Sequence, residues 1–318
     1  MENSQAAFFA TLGKPLTPVA AEATAGADLW EYANKHRSRI ETAIKHSLPL
    51  APAAIQTTFN EAVFRAIFPG GKRLRPVITL LGAELYGADP AEVLPAAVAV
   101  EFIHTSSLIF DDLPSMDDSS ERRGEIALHE AFGEGLATLV AIGFLNASYK
   151  LVTLNNAGDP ERSLQAIGEA VECIGPSGMI GGQALDLLYA ERPAGTAREL
   201  AAGEHLKNLK TTSLIRLALK LGAIHAHVGS SELSSLDTFA DLLGLAYQKS
   251  DDLIDLKDDA ARIAAKDNLS LDLREKIIRR ELDQTVTAAK ELIRSDLPQC
   301  RASECLLQLS DYIRTRVS

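Results

Sequence analysis

Fifteen consecutive residues, AAVAVEFIHTSSLIF from Ala96 to Phe110, carry a single charge and run directly into DDLPSMDD, which sets four carboxylates in eight positions. A segment this apolar has to be covered by protein on most sides, and Pro95 just before it suits the first turn of a helix. A long buried helix needs many neighbours, and the rest of the chain offers helices. Apolar residues recur at three- and four-residue spacing nearly throughout, whereas alternating β-branched and aromatic runs between turn pairs are scarce. SLPLAP, FPGG, YGADP, NNAGDP, IGPSG, RPAGT and HVGSSELSS break the pattern at helix-length intervals, and no repeat or low-complexity linker separates two halves. The chain is predicted to be all-α, a single domain of roughly ten or more helices spanning 26–318. The Ala- and Thr-rich segment 1–25 is expected to be loosely held.

The acids that follow the apolar run sit at the wrong end of a helix. The dipole is negative at the carboxyl end, and Asp111 and Asp112 also repel each other. A hard divalent cation with oxygen ligands removes both penalties. Pro114 breaks the helix and lets Asp117 and Asp118 fold back toward the same ion. A second cluster, DDLID, closes another apolar periodic run, LLGLAYQKSDDLIDL. Asp251, Asp252 and Asp255 share one helical face there, although like charges at that spacing destabilise a bare helix. A solvated acidic face accounts for either cluster alone. Two clusters, each ending an apolar run, point instead to facing carboxylates that hold magnesium.

The chain carries a net charge of −11, so its overall field repels nucleic acid and anionic lipid, and an anionic ligand must be held locally. GGKRLRP, from Gly70 to Pro76, concentrates three cations behind two glycines. His104 precedes Asp111 by seven residues and so lies two turns away on the same face. Arg122 and Arg123 in SSERRGE and Lys210 with Thr211 in KTTSLI add polar candidates. Each has an ordinary reading by itself, a satisfied core histidine or a surface cation. Together, carboxylates for a metal-bound polyphosphate and a separate basic pocket for a second one suggest an enzyme that joins two phosphorylated substrates. One diphosphate would serve as a handle and the other would leave. The three cysteines form no CxxC pair, and the amino terminus has neither the basic start nor the apolar core of a secretory signal. A cytoplasmic protein with no integral membrane segment and no nucleic-acid partner is expected.

With GGKRLRP, HTSSLIFDDLPSMDD followed by ERRG, GGQALDL, KTTSLI and YQKSDDLID in that order, the chain resembles the trans-isoprenyl diphosphate synthases, the polyprenyl synthetase family. The resemblance spans about residues 60–270 and is strongest toward the short-chain geranylgeranyl and farnesyl diphosphate synthases. It implies an isoprenoid-synthase bundle around a deep central cavity, a homodimer, and condensation of isopentenyl diphosphate with an allylic diphosphate. By the same resemblance Asp111, Asp112, Asp117, Asp251, Asp252 and Asp255 would hold three magnesium ions. Arg122, Lys210 and Lys266 would contact the allylic diphosphate, and Gly71, Lys72, Arg75, His104 and Arg123 the diphosphate of isopentenyl diphosphate. Thr211 and Gln248, with Lys210, would complete the catalytic set. No side-chain nucleophile is required.

The chain departs from the family pattern at several points. Phe110 replaces the usual histidine, Tyr247-Gln248 replaces Phe-Gln, and Ala141-Ile142 replaces Gly-Asp. The loop after the second acidic cluster is shortened and retains Lys266. In the family, bulky aromatics one turn before the first aspartates floor the product pocket; here Ser106 and Ser107 are small. Growth is therefore expected to pass fifteen carbons and stop at twenty, against a floor of Ile103, Val100 or Phe144. The alternatives are a farnesyl or longer product, a weakly active regulatory subunit, or a terpene cyclase, which would have no use for GGKRLRP and His104.

Overall fold

A computed structural model describes residues 27–52, 57–68, 70–190, 209–258 and 271–316 of the protein. The apolar run forms α4 (Leu94–Asp112), with Pro95 in its first turn. It ends where Leu113 adopts φ −60° and ψ 149°, the extended backbone that a following proline favours. Before it come α1 (Ala27–Ser47), α2 (Thr57–Ile67) and α3 (Leu74–Glu84). After it come a five-residue turn α5 (Leu128–Phe132), α6 (Glu134–Leu154), α7 (Pro160–Ile174), α8 (Met179–Ala190), α9 (Leu209–His225), α10 (Ser230–Asp258), α11 (Leu271–Asp296) and α12 (Arg301–Thr315). Local chemistry starts several of these. Asp159 accepts the Arg162 amide at 3.2 Å and Pro160 follows as the first residue of α7. The bundle is all-α, as the periodicity predicts, and the segment 1–25 lies outside the described residues.

α4 packs most extensively on α6 and also meets α1, α3 and α9. Phe102 and Phe144 meet edge to face across the α4–α6 contact at 5.0 Å, both fully buried. α3 and α9 cross closely because Gly82 and Gly222 lie at the contact: a methyl group on Gly82 would strike the Leu219 carbonyl, and one on Gly222 the backbone of Thr79 and Ala83. α9 in turn packs on both α4 and α10, so it stands between the two helices that carry the acidic clusters. Among the described residues, α4 and α6 are long and apolar enough to cross a membrane, but they pack on each other. The outer side of α6 leaves Leu139, Ile142 and Leu154 exposed, and α7 adds Leu164 and Val171.

The single charge of the apolar run has a partner that sequence reading did not supply. Arg73 turns inward with φ +52° and is buried. Its guanidinium donates to Glu101 at 2.7 Å, to Glu41 at 3.0 Å and to the Ile67 carbonyl at 2.8 Å. Of the three cations in GGKRLRP, this one belongs to the core. Burying it without these acceptors would cost several kcal/mol, which fixes the turn into α3. A second feature was also missed. Glu121–Arg122 (β1) pairs antiparallel with Glu125–Ile126 (β2), with Arg123 and Gly124 at positive φ between them. An X-Gly pair flanked by short extended residues is a hairpin signal, but two-residue strands leave no alternation to detect.

Candidate active site

The first acidic cluster is held by its loop and by neighbouring helices. The Asp117 amide donates to the Asp111 carbonyl at 2.9 Å, and the Ser119 amide to that of Asp112 at 3.2 Å, so the chain folds back after Pro114 as expected. Asp111 is 5% exposed, and the ammonium of Lys210 on α9 sits 2.6 Å from its carboxylate. Burial pushes the Asp111 carboxyl above its ordinary range; Lys210 opposes that shift and nearby Asp117 reinforces it. Asp112 takes the guanidinium of Arg122 from the hairpin, and that bond raises the arginine further. Lys210 also donates to Gln183 on α8 at 2.8 Å, while the Gln183 amide reaches the Met116 sulfur at 3.8 Å. Gln183 therefore orients Lys210. Its signal was present in GGQALDL, where sequence reading assigned it no role.

The predicted basic residues converge on a second place. Arg75 donates to His104 Nε2 at 3.1 Å. A guanidinium has no acceptor, so Nε2 must accept and the proton of the neutral ring resides on Nδ1. Burial, then Arg75, Arg123, Arg73 and Arg122, hold the His104 imidazole well below its usual range, which keeps it neutral. The buried Nε of Arg75 finds no acceptor among the described residues, and burial depresses this guanidinium as well. The Arg123 guanidinium lies 3.4 Å from where a methyl group on Gly71 would stand. Gly71, Arg75, His104 and Arg123 thus form one cationic pocket with an unused donor. Lys72 points elsewhere. Its ammonium donates to the Tyr312 hydroxyl at 2.8 Å and lies 4.9 Å and 4.8 Å from the rings of Trp30 and Tyr312.

The second cluster is more open. Asp251 is half-exposed and pairs with Arg316, whose Nε donates to the Ser250 hydroxyl at 2.7 Å and whose guanidinium stacks 3.7 Å above the Tyr247 ring. Asp252 and Gln248 are partly buried on the same helix, and Thr211 follows Lys210 on the first turn of α9. The side chain of Asp255 and all of Lys266 lie outside the described residues. The donor set suits a hard divalent cation. Every candidate ligand is a carboxylate, and Asp111 is desolvated in a cluster with Asp112 and Asp117 that holds three carboxylates against the two monovalent cations Lys210 and Arg122. Among the described residues no three such groups are gathered into a preformed cage.

Deeper along α4, Ser106 is buried and the Ser107 hydroxyl donates to the His104 carbonyl at 2.9 Å. One turn below Ser106 stands Phe102, in contact with Phe144. Val100, Phe102, Ile103 and Phe144 are all buried.

Comparison with known proteins agrees with the motif order. The polyprenyl synthetase family matches residues 56–278. The chain is 36% identical over 246 residues to geranylgeranyl pyrophosphate synthase 11, chloroplastic, of Arabidopsis thaliana, covering 76% of this chain and 68% of that one. It is 36% identical over 211 residues to farnesyl diphosphate synthase of Bacillus subtilis, covering 66% and 70%. Among solved structures, an FPP/GFPP synthase from Zymomonas mobilis superposes with a TM-score of 0.78 at 27% identity, over 90% of this chain and 99% of that one.

Proposed function

Because the chain belongs to the polyprenyl synthetase family, and is a prenyltransferase of the short-chain isoprenyl diphosphate synthase kind, we propose that it extends an allylic diphosphate with isopentenyl diphosphate to geranylgeranyl diphosphate. The observation that carries this reading is the separation of two anion subsites: Asp111 with Lys210 and Arg122 on one side, and Arg75, His104 and Arg123 on the other. A cyclase that ionises a single diphosphate has no need of the second.

Asp111, Asp112, Asp117, Asp251 and Asp252 would hold three magnesium ions, which when bound supply the positive charge that stabilises departing pyrophosphate. Lys210 and Arg122 add fixed positive charge beside the same leaving group, and Gln183 keeps Lys210 aimed at it. Arg75 offers its free Nε to the other diphosphate, while neutral His104 holds the guanidinium in place. Thr211 and Gln248 present dipoles to the allylic cation, which the isopentenyl double bond attacks before a proton passes to pyrophosphate.

The twenty-carbon product rests on small Ser106 and Ser107 above the Phe102–Phe144 pair. The exposed apolar residues of α6 and α7 suit a second copy of the chain, giving a homodimer. We place this activity in the cytoplasm. The test is chromatography of products made by the purified protein with magnesium, labelled isopentenyl diphosphate and five-, ten- or fifteen-carbon starters. A twenty-carbon product from each supports the reading. A fifteen-carbon end point removes the length assignment, and no elongation at any metal concentration favours a regulatory subunit.

A further inference from the structure

We propose that Arg316 is a built-in counter-ion of the second acidic cluster, which a metal ion must displace from Asp251 before that cluster can be used. The inference rests on reading Asp251 as a metal ligand. The guanidinium is enclosed on three sides by one turn of α10: the carboxylate of Asp251, the hydroxyl of buried Ser250, and the face of Tyr247 at 3.7 Å. It is the more buried partner, 13% exposed against 49% for the Asp251 side chain. A rim arginine that paired only by charge would not be expected to be covered by a hydroxyl acceptor and an aromatic face as well.

A divalent cation and a guanidinium compete for the same carboxylate, because each needs its charge and its lone pairs. Binding one therefore weakens the other by the free energy of the displaced pair. The same end of the chain reaches the other subsite. Tyr312, one helical turn before Arg316, accepts a hydrogen bond from Lys72 at 2.8 Å, and the Lys72 ammonium also lies over the rings of Tyr312 and Trp30. The last turn of α12 and the residue that caps it thus occupy one expected diphosphate cation and one expected metal ligand.

The test counts Mn2+ bound to the whole protein by electron paramagnetic resonance, with inorganic pyrophosphate present, so the readout is metal binding rather than turnover. Arg316→Gln should tighten one class of Mn2+ site roughly five-fold, the size of a partly exposed charged hydrogen bond. Tyr312→Phe keeps Arg316 in place and should leave that affinity unchanged. Asp251→Asn should remove the site. Loss of the site in Asp251→Asn with no tightening in Arg316→Gln would refute the counter-ion role and leave the metal assignment standing. An unaltered Mn2+ count in Asp251→Asn would remove the metal assignment and this inference with it. Equal tightening in Tyr312→Phe would show that general loosening of α12, not exchange at Asp251, governs the affinity.

Discussion

Asp111 and Asp251 occupy equivalent places in the sequence, each the first acid after an apolar helical run, yet the fold treats them differently. Asp111 is almost fully buried and faces Lys210 from α9, while adjacent Asp112 faces Arg122 from the hairpin. One countercharge comes from a helix packed on α4 and the other from the hairpin that follows it by ten residues. Asp251 is half-exposed, and its countercharge comes from Arg316, just past the last turn of α12. Coulomb interactions strengthen as water is excluded, so the first cluster is the more strongly coupled of the two. The contrast suggests a division of labour in which the first cluster is organised by the fold and the second by what binds to it.

The largest expected effect tests that ranking directly. Asp111→Ala should lower turnover about 1,000-fold or more, since it removes charge stabilisation at a dry site and strands Lys210 without its carboxylate. Asp251→Ala should cost about ten-fold less than that, because solvent screens the more open cluster. Labelled isopentenyl diphosphate incorporation at saturating magnesium measures both. Equal losses would break the ranking, and a nearly active Asp111→Ala would remove the metal role of the first cluster.

Stability should separate the two clusters by a smaller margin. Arg122→Ala leaves the buried Asp112 carboxylate unpaired and should destabilise the protein by about 1–2 kcal/mol, a value reduced from the fully buried case because Arg122 itself is 38% exposed. Arg316→Gln touches a pair whose carboxylate water already reaches and should cost about 1 kcal/mol or less. Denaturant unfolding without metal compares them, and an equal cost would mean that the chain end is as structural as the hairpin.

Sequence reading reached the acids and the all-α architecture because each leaves a local trace, a helical period or a proline, whereas it grouped Arg75 with His104 only through the family resemblance. It did not reach groups whose meaning depends on a partner far along the chain. Arg73 looked like one of three equivalent cations until the fold joined it to Glu41 and Glu101, 32 and 28 residues away. Gln183 stood in a recognised motif but had no role until the fold brought it to Lys210, 27 residues on, and Arg316 meets Asp251 across 65 residues and Lys72 meets Tyr312 across 240. Periodicity reports which face of a helix is covered, not what covers it. The hairpin was missed because its strands are shorter than any period.

The last difference between the helices lies one turn before the acids and should affect turnover least. On α10 that turn holds Tyr247 and Gln248, and the Tyr247 ring is covered by Arg316. On α4 it holds Ser106 and Ser107, with Phe102 and Phe144 beneath them. A chain growing from a diphosphate held at Asp111 would run down α4 at about 5.4 Å per turn, past two small hydroxyls toward the aromatic pair. Ser106→Tyr adds a ring at the upper level without touching a carboxylate or either basic pocket. Turnover of the first condensation should change by less than about three-fold, while the main product becomes shorter. Phe102→Ala removes the lower level and should lengthen the product, although emptying a fully buried site costs roughly 3–5 kcal/mol of stability, so its product must be read at low temperature. If Ser106→Tyr leaves the chain length unchanged, the growing chain does not run along this face of α4. The distinction between the helices would then concern charge alone.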